Sequence, residues 1–560
     1  MQTSQLLAIT PKMKNIIFIF LCVISFKTAI AQPNLSETEK LAATAKVWGF
    51  LKYYHPNVAA GKFDWDQQLF DILPSVQKAN NKAELSKIYS DWIETLGQIK
   101  PCKKCQENDE LTHFEKNFDL TWLEDDKHFT KELTEKLKFI EQNRFQGKHY
   151  YVSTKGKLNL LEITNEKVYE NFDWTNRPLR LLSLFRYWNT IEYFYPHKYA
   201  LDTDWDLVLT QMLPKFSSTN SELNYHLAML ELVVDIDDSH GYFTTNVIQQ
   251  HFGLKQIPAS FKIIDEKLVI NGIYDDSLAA LNDIKIGDVI TKVDGVDIAE
   301  KLKQNLKYIN GANYSTKLVY AFGKILNGST DSIEVKITRQ GETKNLNLAR
   351  YTYDKFNYNA KPEPWKKMED DIAYINLGAI NGKELIEVLD EIQNSRALIL
   401  DLRRYPPNFY GYTLRNFLGA RESIIAKQIN SDLNYPGKYI LTDQDEIRTM
   451  PSKFNGKVAL LVCETTQSRA EYTALWIQNG YNVTTFGSQT AGAGGMMIQQ
   501  EFVGGFKSYF TSSGIFYPDM SPVQRKGVKI DIEVKPTIQG IIDGKDEVLE
   551  KAIEFINSSE

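Results

Sequence analysis

Hydrophobic and polar positions divide the chain into three stretches of different period. Between Leu41 and His240 apolar and aromatic residues recur at helical spacing, which predicts a succession of helices. From Ala259 to about Arg350 the period shortens to alternation. Two strands, a short helix over Ser277 to Leu281 and the strand VITKV are expected there, closed by the hairpin signal Asp294-Gly295. Lys301 to Gly341 is more helical and reads as an insertion before the strands IEVKITR and KNLNLAR. Further on, DDIAYINLGAI (Asp370 to Ile380) and ALILDLRRYPP (Ala397 to Pro407) flank a helical stretch from Gly382 to Asn394, a βαβ unit that implies parallel strands. The next apolar run, VALLVCE, breaks at Glu464 to Gln467 and gives way to helical composition from Ala470 to Gln478. One serine, Ser468, therefore stands between a buried strand and a helix. A glycine-rich turn through Gly487, Gly492, Gly494 and Gly495 follows, then strands and a helix over Asp546 to Ile556.

The helical stretch repeats itself. Residues 46–74 align without a gap with residues 186–214, and Trp48/Trp188, Tyr53/Tyr193, Pro56/Pro196, Asp64/Asp204, Trp65/Trp205, Asp66/Asp206 and Pro74/Pro214 are identical. Each copy reads as an aromatic amphipathic helix ended by a proline, a loop, a second helix capped by Asp64 or Asp204, and a third helix after Pro74 or Pro214. Two copies are fewer than a solenoid needs, so they are expected to form two related helical units. The aromatic clusters follow helical faces and are assigned to the core. Only the second copy runs on into Asp237-Asp238-Ser239-His240; the first reaches Leu96-Gly97 and then Pro101-Cys102.

Ser468 at a helix start has its hydroxyl beside unpaired backbone N–H groups, where negative charge is favoured. A plain helix cap uses the same residue in the same place, so the local pattern leaves nucleophile and cap both open.

Length and charge narrow the classes. A chain of 560 residues exceeds one core and suggests three or four units. The net charge of −6 gives no electrostatic case for nucleic acid. At the N-terminus Lys14, the apolar run Ile16 to Phe26 and Ala29-Ile30-Ala31 read as a signal peptide cleaved after Ala31, which predicts export to the periplasm or the extracellular space. No later segment approaches a membrane span, so no stable one is expected. Cys102 and Cys105 read first as a local disulfide of an oxidising compartment; thiol-disulfide exchange there is a further reading, and no zinc set or cofactor signature accompanies the pair.

The order of parts identifies a family. DDSH at 237–240, the alternating module with Ile286-Gly287-Asp288 and Val293-Asp294-Gly295, a strand ending LDLR, Thr466-Gln467-Ser468-Arg469-Ala470-Glu471, then Gly487, Thr490-Ala491-Gly492 and Gly527-Val528 with Asp531 resemble the C-terminal processing peptidases, whose relatives include the tricorn core protease and the interphotoreceptor retinoid-binding proteins. The resemblance covers most of residues 180–560. Together with the pattern of the residues before it, it gives a multidomain α/β protein: signal peptide 1–31, helical unit 35–175 with the Cys pair, helical unit 176–256 carrying Ser-His, a PDZ-like small β domain at 257–350, for which the resemblance implies capture of a peptide C-terminus by strand addition and the alternative is a purely structural small barrel, and a crotonase/ClpP-like α/β peptidase core at 365–560.

The resemblance also implies roles. Ser468, three residues before Glu471, takes the nucleophile's place. The lysine base of one branch falls at position 493, which holds Ala493, whereas the serine-preceded histidine of the tricorn-like branch is matched by Ser239-His240. His240 is then the general base, with Ser239 orienting its imidazole, and the Arg469 N–H an oxyanion donor. Two departures stand out. Gln524 occupies the orienting glutamate's position, where it can orient the imidazole by hydrogen bonding but cannot stabilise an imidazolium by charge. Arg404-Tyr405-Pro406-Pro407 replaces a glycine pair whose N–H helps bind the oxyanion, which leaves Tyr405 or Asn408 as the second donor. The resulting expectation is an exported serine endopeptidase acting on unfolded or C-terminal peptide segments. The alternative is a non-catalytic relative that binds peptides or hydrophobic ligands.

Overall fold

The computed structural model describes residues 34–106, 111–156, 159–357 and 362–558, with the side chains of residues 444 and 445 left aside. The expected signal peptide and its cleavage after Ala31 lie outside the described residues.

The two helical copies correspond element by element: Glu37–Tyr54, Trp65–Lys78 and Lys82–Thr95 match Arg177–Phe194, Trp205–Ser217 and Glu222–Val234 in order and length to within one residue. The repeated tryptophans have the same task in both. The Trp48 indole N–H donates to the Trp65 carbonyl and the Trp65 indole N–H to the Trp48 carbonyl, and Trp188 and Trp205 do the same, at 2.9–3.1 Å. A buried indole needs an acceptor, and each pair supplies the other's. Asp64 and Asp204 cap the second helices by accepting from Gln67 N–H and Leu207 N–H.

Two expectations are corrected. Pro74 and Pro214 lie inside their helices instead of ending them. A proline there forfeits one backbone bond, and burial of Val76 and Phe216 beyond it keeps the helix going. The long first helices are also not amphipathic. Glu37–Tyr54 and Arg177–Phe194 are buried nearly all round because they pack on each other at the centre of one shared core. That packing is reciprocal across the copies: Lys46 pairs with Asp206 at 2.6 Å, and the equivalent Arg186 pairs with Asp66 at 2.5 Å. Where the helices cross, Gly49 faces its own counterpart Asn189, and a Cβ at 49 would stand 1.7 Å from the Asn189 Oδ1.

The C-terminal half carries a six-stranded sheet in the order Ile532–Glu533, Val483–Gly487, Lys457–Val462, Ala397–Asp401, Ile372–Asn376 and Trp365–Lys367. All neighbours are parallel except the last edge pair. Helices Gly382–Glu391 and Arg469–Gln478 pack on one face and Glu547–Asn557 on the other. A hairpin, Met497–Phe502 with Phe506–Thr511, leaves this unit and joins the helical core: Tyr187 stacks on Phe502 at 4.8 Å, and Ile498, Val503 and Phe510 are buried with the repeat helices. Between the halves sits a small antiparallel sheet, Ala259–Ile264, Lys267–Ile273, Val289–Val293, Ser332–Arg339 and Glu342–Ala349, with its own core. The helices Ile298–Asn305 and Tyr314–Tyr320 fill the expected insertion. Among the described residues no helix is long and apolar enough to cross a membrane.

The reciprocal ion pairs make an internal control. Asp206 is half exposed, whereas Asp66 and Arg186 are buried. Asp66→Ala is expected to cost about 3 kcal/mol, since it strands part of a buried guanidinium's compensation. Asp206→Ala should cost about 0–1 kcal/mol. Urea unfolding of the two variants checks this, and equal losses would contradict it.

Candidate active site

The strand Lys457–Val462 ends at the carboxyl edge of the parallel sheet, where open α/β sheets place their sites. The turn after it is pinned by Thr466, whose hydroxyl donates to the Leu402 carbonyl (2.9 Å) and accepts from the Cys463 N–H (3.0 Å). Ser468 then begins the helix Arg469–Gln478 with φ 54° and ψ −113°, a conformation that costs a non-glycine residue about 1–3 kcal/mol.

Glu471 holds it there. Its carboxylate, 1 % exposed, accepts from the Ser468 N–H (3.0 Å), the Gly492 N–H (2.7 Å), the Ala493 N–H (2.8 Å) and the Thr490 hydroxyl (2.5 Å). Burial pushes its pKa up, and the four donors oppose that shift. One side chain thus ties the serine turn to the glycine turn. Ala493, where the other branch would have a lysine, has its side chain fully buried.

The histidine loop docks against the same turn. Ser239 Oγ donates to the Ala491 carbonyl at 2.7 Å and accepts from the Ala312 N–H at 2.8 Å, while the Gln467 amide reaches the Ser239 carbonyl at 3.4 Å. The Ala491 N–H returns to the Thr466 carbonyl at 3.0 Å. The loop of His240 and the turn of Ser468 are therefore joined through the immediate neighbours Ser239 and Gln467. Asp237 anchors the loop further by pairing with Lys317 of the inserted helix (3.0 Å) and Arg525 of the sheet unit (3.5 Å).

The expectation that Ser239 orients the imidazole is corrected. Its hydroxyl is committed to the backbone of Ala312 and Ala491. The His240 Nδ1 instead meets the Thr511 hydroxyl at 2.9 Å. Thr511 and Asp238 are site residues that the sequence reading missed. Asp238, 1 % exposed, accepts from the Thr511 N–H (2.7 Å), the Thr511 hydroxyl (2.9 Å), the His240 N–H (3.0 Å) and the Gln524 amide (3.3 Å). Gln524 thus touches Asp238 and the Tyr195 hydroxyl (3.4 Å), and its bonds do not include the imidazole. Burial lowers the His240 pKa and the Asp238 charge pulls it back up. The available signal for Asp238 was its place two residues before His240; for Thr511, in a strand far along the chain, there was none.

Arg469 sits at the first helical position, where the N–H has no intrahelical acceptor. Its guanidinium donates to the Pro406 and Pro407 carbonyls at 3.3 and 2.8 Å and lies 5.4 Å over the Tyr405 ring. The loop that replaces the glycine pair is thereby held beside Ser468. Among the described residues no group of His, Cys, Asp and Glu gathers to hold a metal. Cys102 and Cys105 form the expected disulfide.

Residues 371–534 match the sequence model of peptidase family S41. The curated "Probable CtpA-like serine protease" of Staphylococcus haemolyticus is 23 % identical over 298 residues, 51 % of this chain and 54 % of the relative, so the chain spans about half that relative's length. Among solved structures, mature CPAF complexed with lactacystin superposes with a TM-score of 0.51 at 14 % identity, covering 68 % of this chain and 98 % of CPAF. A CPAF mutant gives 0.52 with 97 % of its chain covered. These likenesses are of fold.

Because four groups converge on Glu471, Glu471→Ala leaves buried donors unpaired and is expected to destabilise the protein by about 3 kcal/mol or more. Denaturant unfolding measures the loss; less than about 1 kcal/mol would show that the turns stand without the carboxylate.

Proposed function

We propose that this chain, which belongs to the C-terminal processing peptidases of family S41, is a serine endopeptidase that cleaves peptides or unfolded protein segments through an acyl-enzyme on Ser468. The observation that carries the reading is the strained serine turn locked by Glu471 beside the His240 loop. His240 is the base: it takes the Ser468 hydroxyl proton as Oγ bonds the scissile carbonyl carbon, and returns it to the leaving amine. The carbonyl's electron pair moves onto its oxygen, which the Arg469 N–H receives. The backbone of Tyr405 or Asn408, held close by the Arg469 guanidinium, is the candidate second donor.

The small β domain supports capture of a substrate C-terminus. Its edge strand Ala259–Ile264 pairs with a neighbour on one side only, and Lys262 on that strand forms an ion pair with Glu464, four residues before Ser468. A PDZ-like strand addition there would present the peptide next to the nucleophile. Export to the cell envelope fits the Cys102–Cys105 disulfide. Gln524 and the Pro406-Pro407 pair favour a second reading, a binding protein on the same frame.

A fluorophosphonate probe is expected to label Ser468 in the folded wild type and not in Ser468→Ala. His240→Ala should slow casein hydrolysis by about a hundredfold or more. Since burial favours the neutral imidazole, the acid limb of the wild-type pH profile should fall below about 6.5, the ordinary histidine value. Absence of labelling beside a reactive control peptidase would leave the binding-protein reading.

A further inference from the structure

The negative charge that position 524 lacks is present elsewhere in the same pocket. Asp238 is buried, and among the described residues no lysine, arginine or histidine side-chain nitrogen lies within ion-pairing distance of its carboxylate, an arrangement that normally costs several kcal/mol. Its four donors are all neutral. Of the two imidazoles that feel its charge, His197 and His240, it is His240 that a single hydroxyl joins to it: Thr511 Oγ is 2.9 Å from the Asp238 Oδ1 and 2.9 Å from the His240 Nδ1.

Proton bookkeeping fixes the direction of this chain. A carboxylate only accepts, so the Thr511 hydroxyl hydrogen points to Asp238. The hydroxyl lone pair then faces Nδ1, which must carry hydrogen. Nε2 is left bare, as a general base toward Ser468 requires. We infer that Asp238 and Thr511 act together as the positioning acid of this site, Thr511 fixing the imidazole tautomer and Asp238 stabilising the imidazolium through it. The inference rests on the peptidase reading and deepens it.

The chemistry balances without moving a proton to Asp238. The Ser468 O–H bond breaks and an Nε2–H bond forms, the Nδ1 hydrogen stays on the ring, and the positive charge faces a fixed carboxylate one hydroxyl away. Gln524 then has a different part: its amide donates to Asp238, and its own buried carbonyl oxygen has no hydrogen-bond partner. A glutamate at 524 would set two carboxylates about one hydrogen bond apart, where like charges disfavour ionisation of both. The other titratable groups that feel the Asp238 charge are Tyr187, Tyr195 and His197, all buried.

The test uses the full chain and the rate of fluorophosphonate labelling at Ser468 as a function of pH. Thr511→Val is expected to slow labelling at least tenfold, with Thr511→Ser restoring most of the rate because it returns the hydroxyl. Asp238→Asn should slow it about a hundredfold and move the acid limb to lower pH, since that charge raises the histidine's proton affinity. Gln524→Glu should bring no gain. Wild-type rate and pH dependence in Thr511→Val, or a faster Gln524→Glu, would overturn the assignment. If Asp238→Asn does not fold, the two Thr511 variants decide it. Histidine 15N NMR reads the same point without any reaction: the inference requires the Nδ1–H tautomer at His240 in wild type and its loss in Thr511→Val, and an Nε2–H tautomer in wild type refutes it. Failure of wild type to react at Ser468 is a separate result, which counts against the peptidase and leaves the tautomer measurement to judge the inference.

Discussion

The site depends on one buried carboxylate. Glu471 sits one helical turn inside the helix that Ser468 begins, and its two oxygens accept from the serine turn and from the glycine turn at once. Neither turn is a low-energy shape alone: Ser468 has a positive φ, and Gly492, at φ 62°, approaches Arg525 so closely that a Cβ would stand 2.7 Å from its backbone nitrogen. Four hydrogen bonds to a buried anion are strong enough to hold both, because the alternative is four donors and a charge left in low dielectric. Through Ala491 the same knot reaches Ser239, so the position of the His240 loop depends on it as well.

Much of this was legible in the sequence where information is local. Asp294-Gly295 turns, with φ of 48° and 76°, where the dipeptide says it should. The parallel strands around Gly382–Glu391 and the strand-serine-helix order at Ser468 also stand as read. The repeated tryptophans were identifiable as core, but their reason was not, since a reciprocal indole-to-carbonyl bond needs two helices at a particular distance. The interior prolines misled because at Pro74 and Pro214 the burial of Val76 and Phe216 beyond them offsets the one backbone bond each proline forfeits.

The site was legible as far as pairs of residues can be. Ser468 and His240 could be picked out, although 227 residues of chain lie between them, because each carries a short motif, and their neighbours Gln467 and Ser239 meet. Thr511 carries none. It is one hydroxyl in a strand whose neighbours on the hairpin pack against a helix of the second repeat, and its meeting with Asp238 follows from that packing alone. Ser239 was assigned the orienting role from its adjacency to the histidine. A residue next in sequence points its side chain elsewhere whenever the backbone turns, and here the turn gives the hydroxyl to Ala312 and Ala491.

The duplicated helices explain why His240 is where it is. The first copy ends its third helix at Leu96-Gly97, while the second, built to the same plan, continues from Val234 through Ile236 into the Asp-Asp-Ser-His loop. That loop is delivered from a core formed by both copies, into which the hairpin carrying Thr511 is also packed. Ser468 belongs to a different core, that of the parallel sheet. His240 and its hydroxyl partner therefore hang from one core, and Ser468, Glu471 and the glycine turn from another. Lys317, Asn313 and Tyr320 of the inserted segment bond to Asp237 on one side and to Thr490 and Gln467 on the other. The inserted segment thus spans the seam between the two cores, alongside the direct bond from the Ser239 hydroxyl to the Ala491 carbonyl, and fastens the histidine loop to the serine turn from a second side.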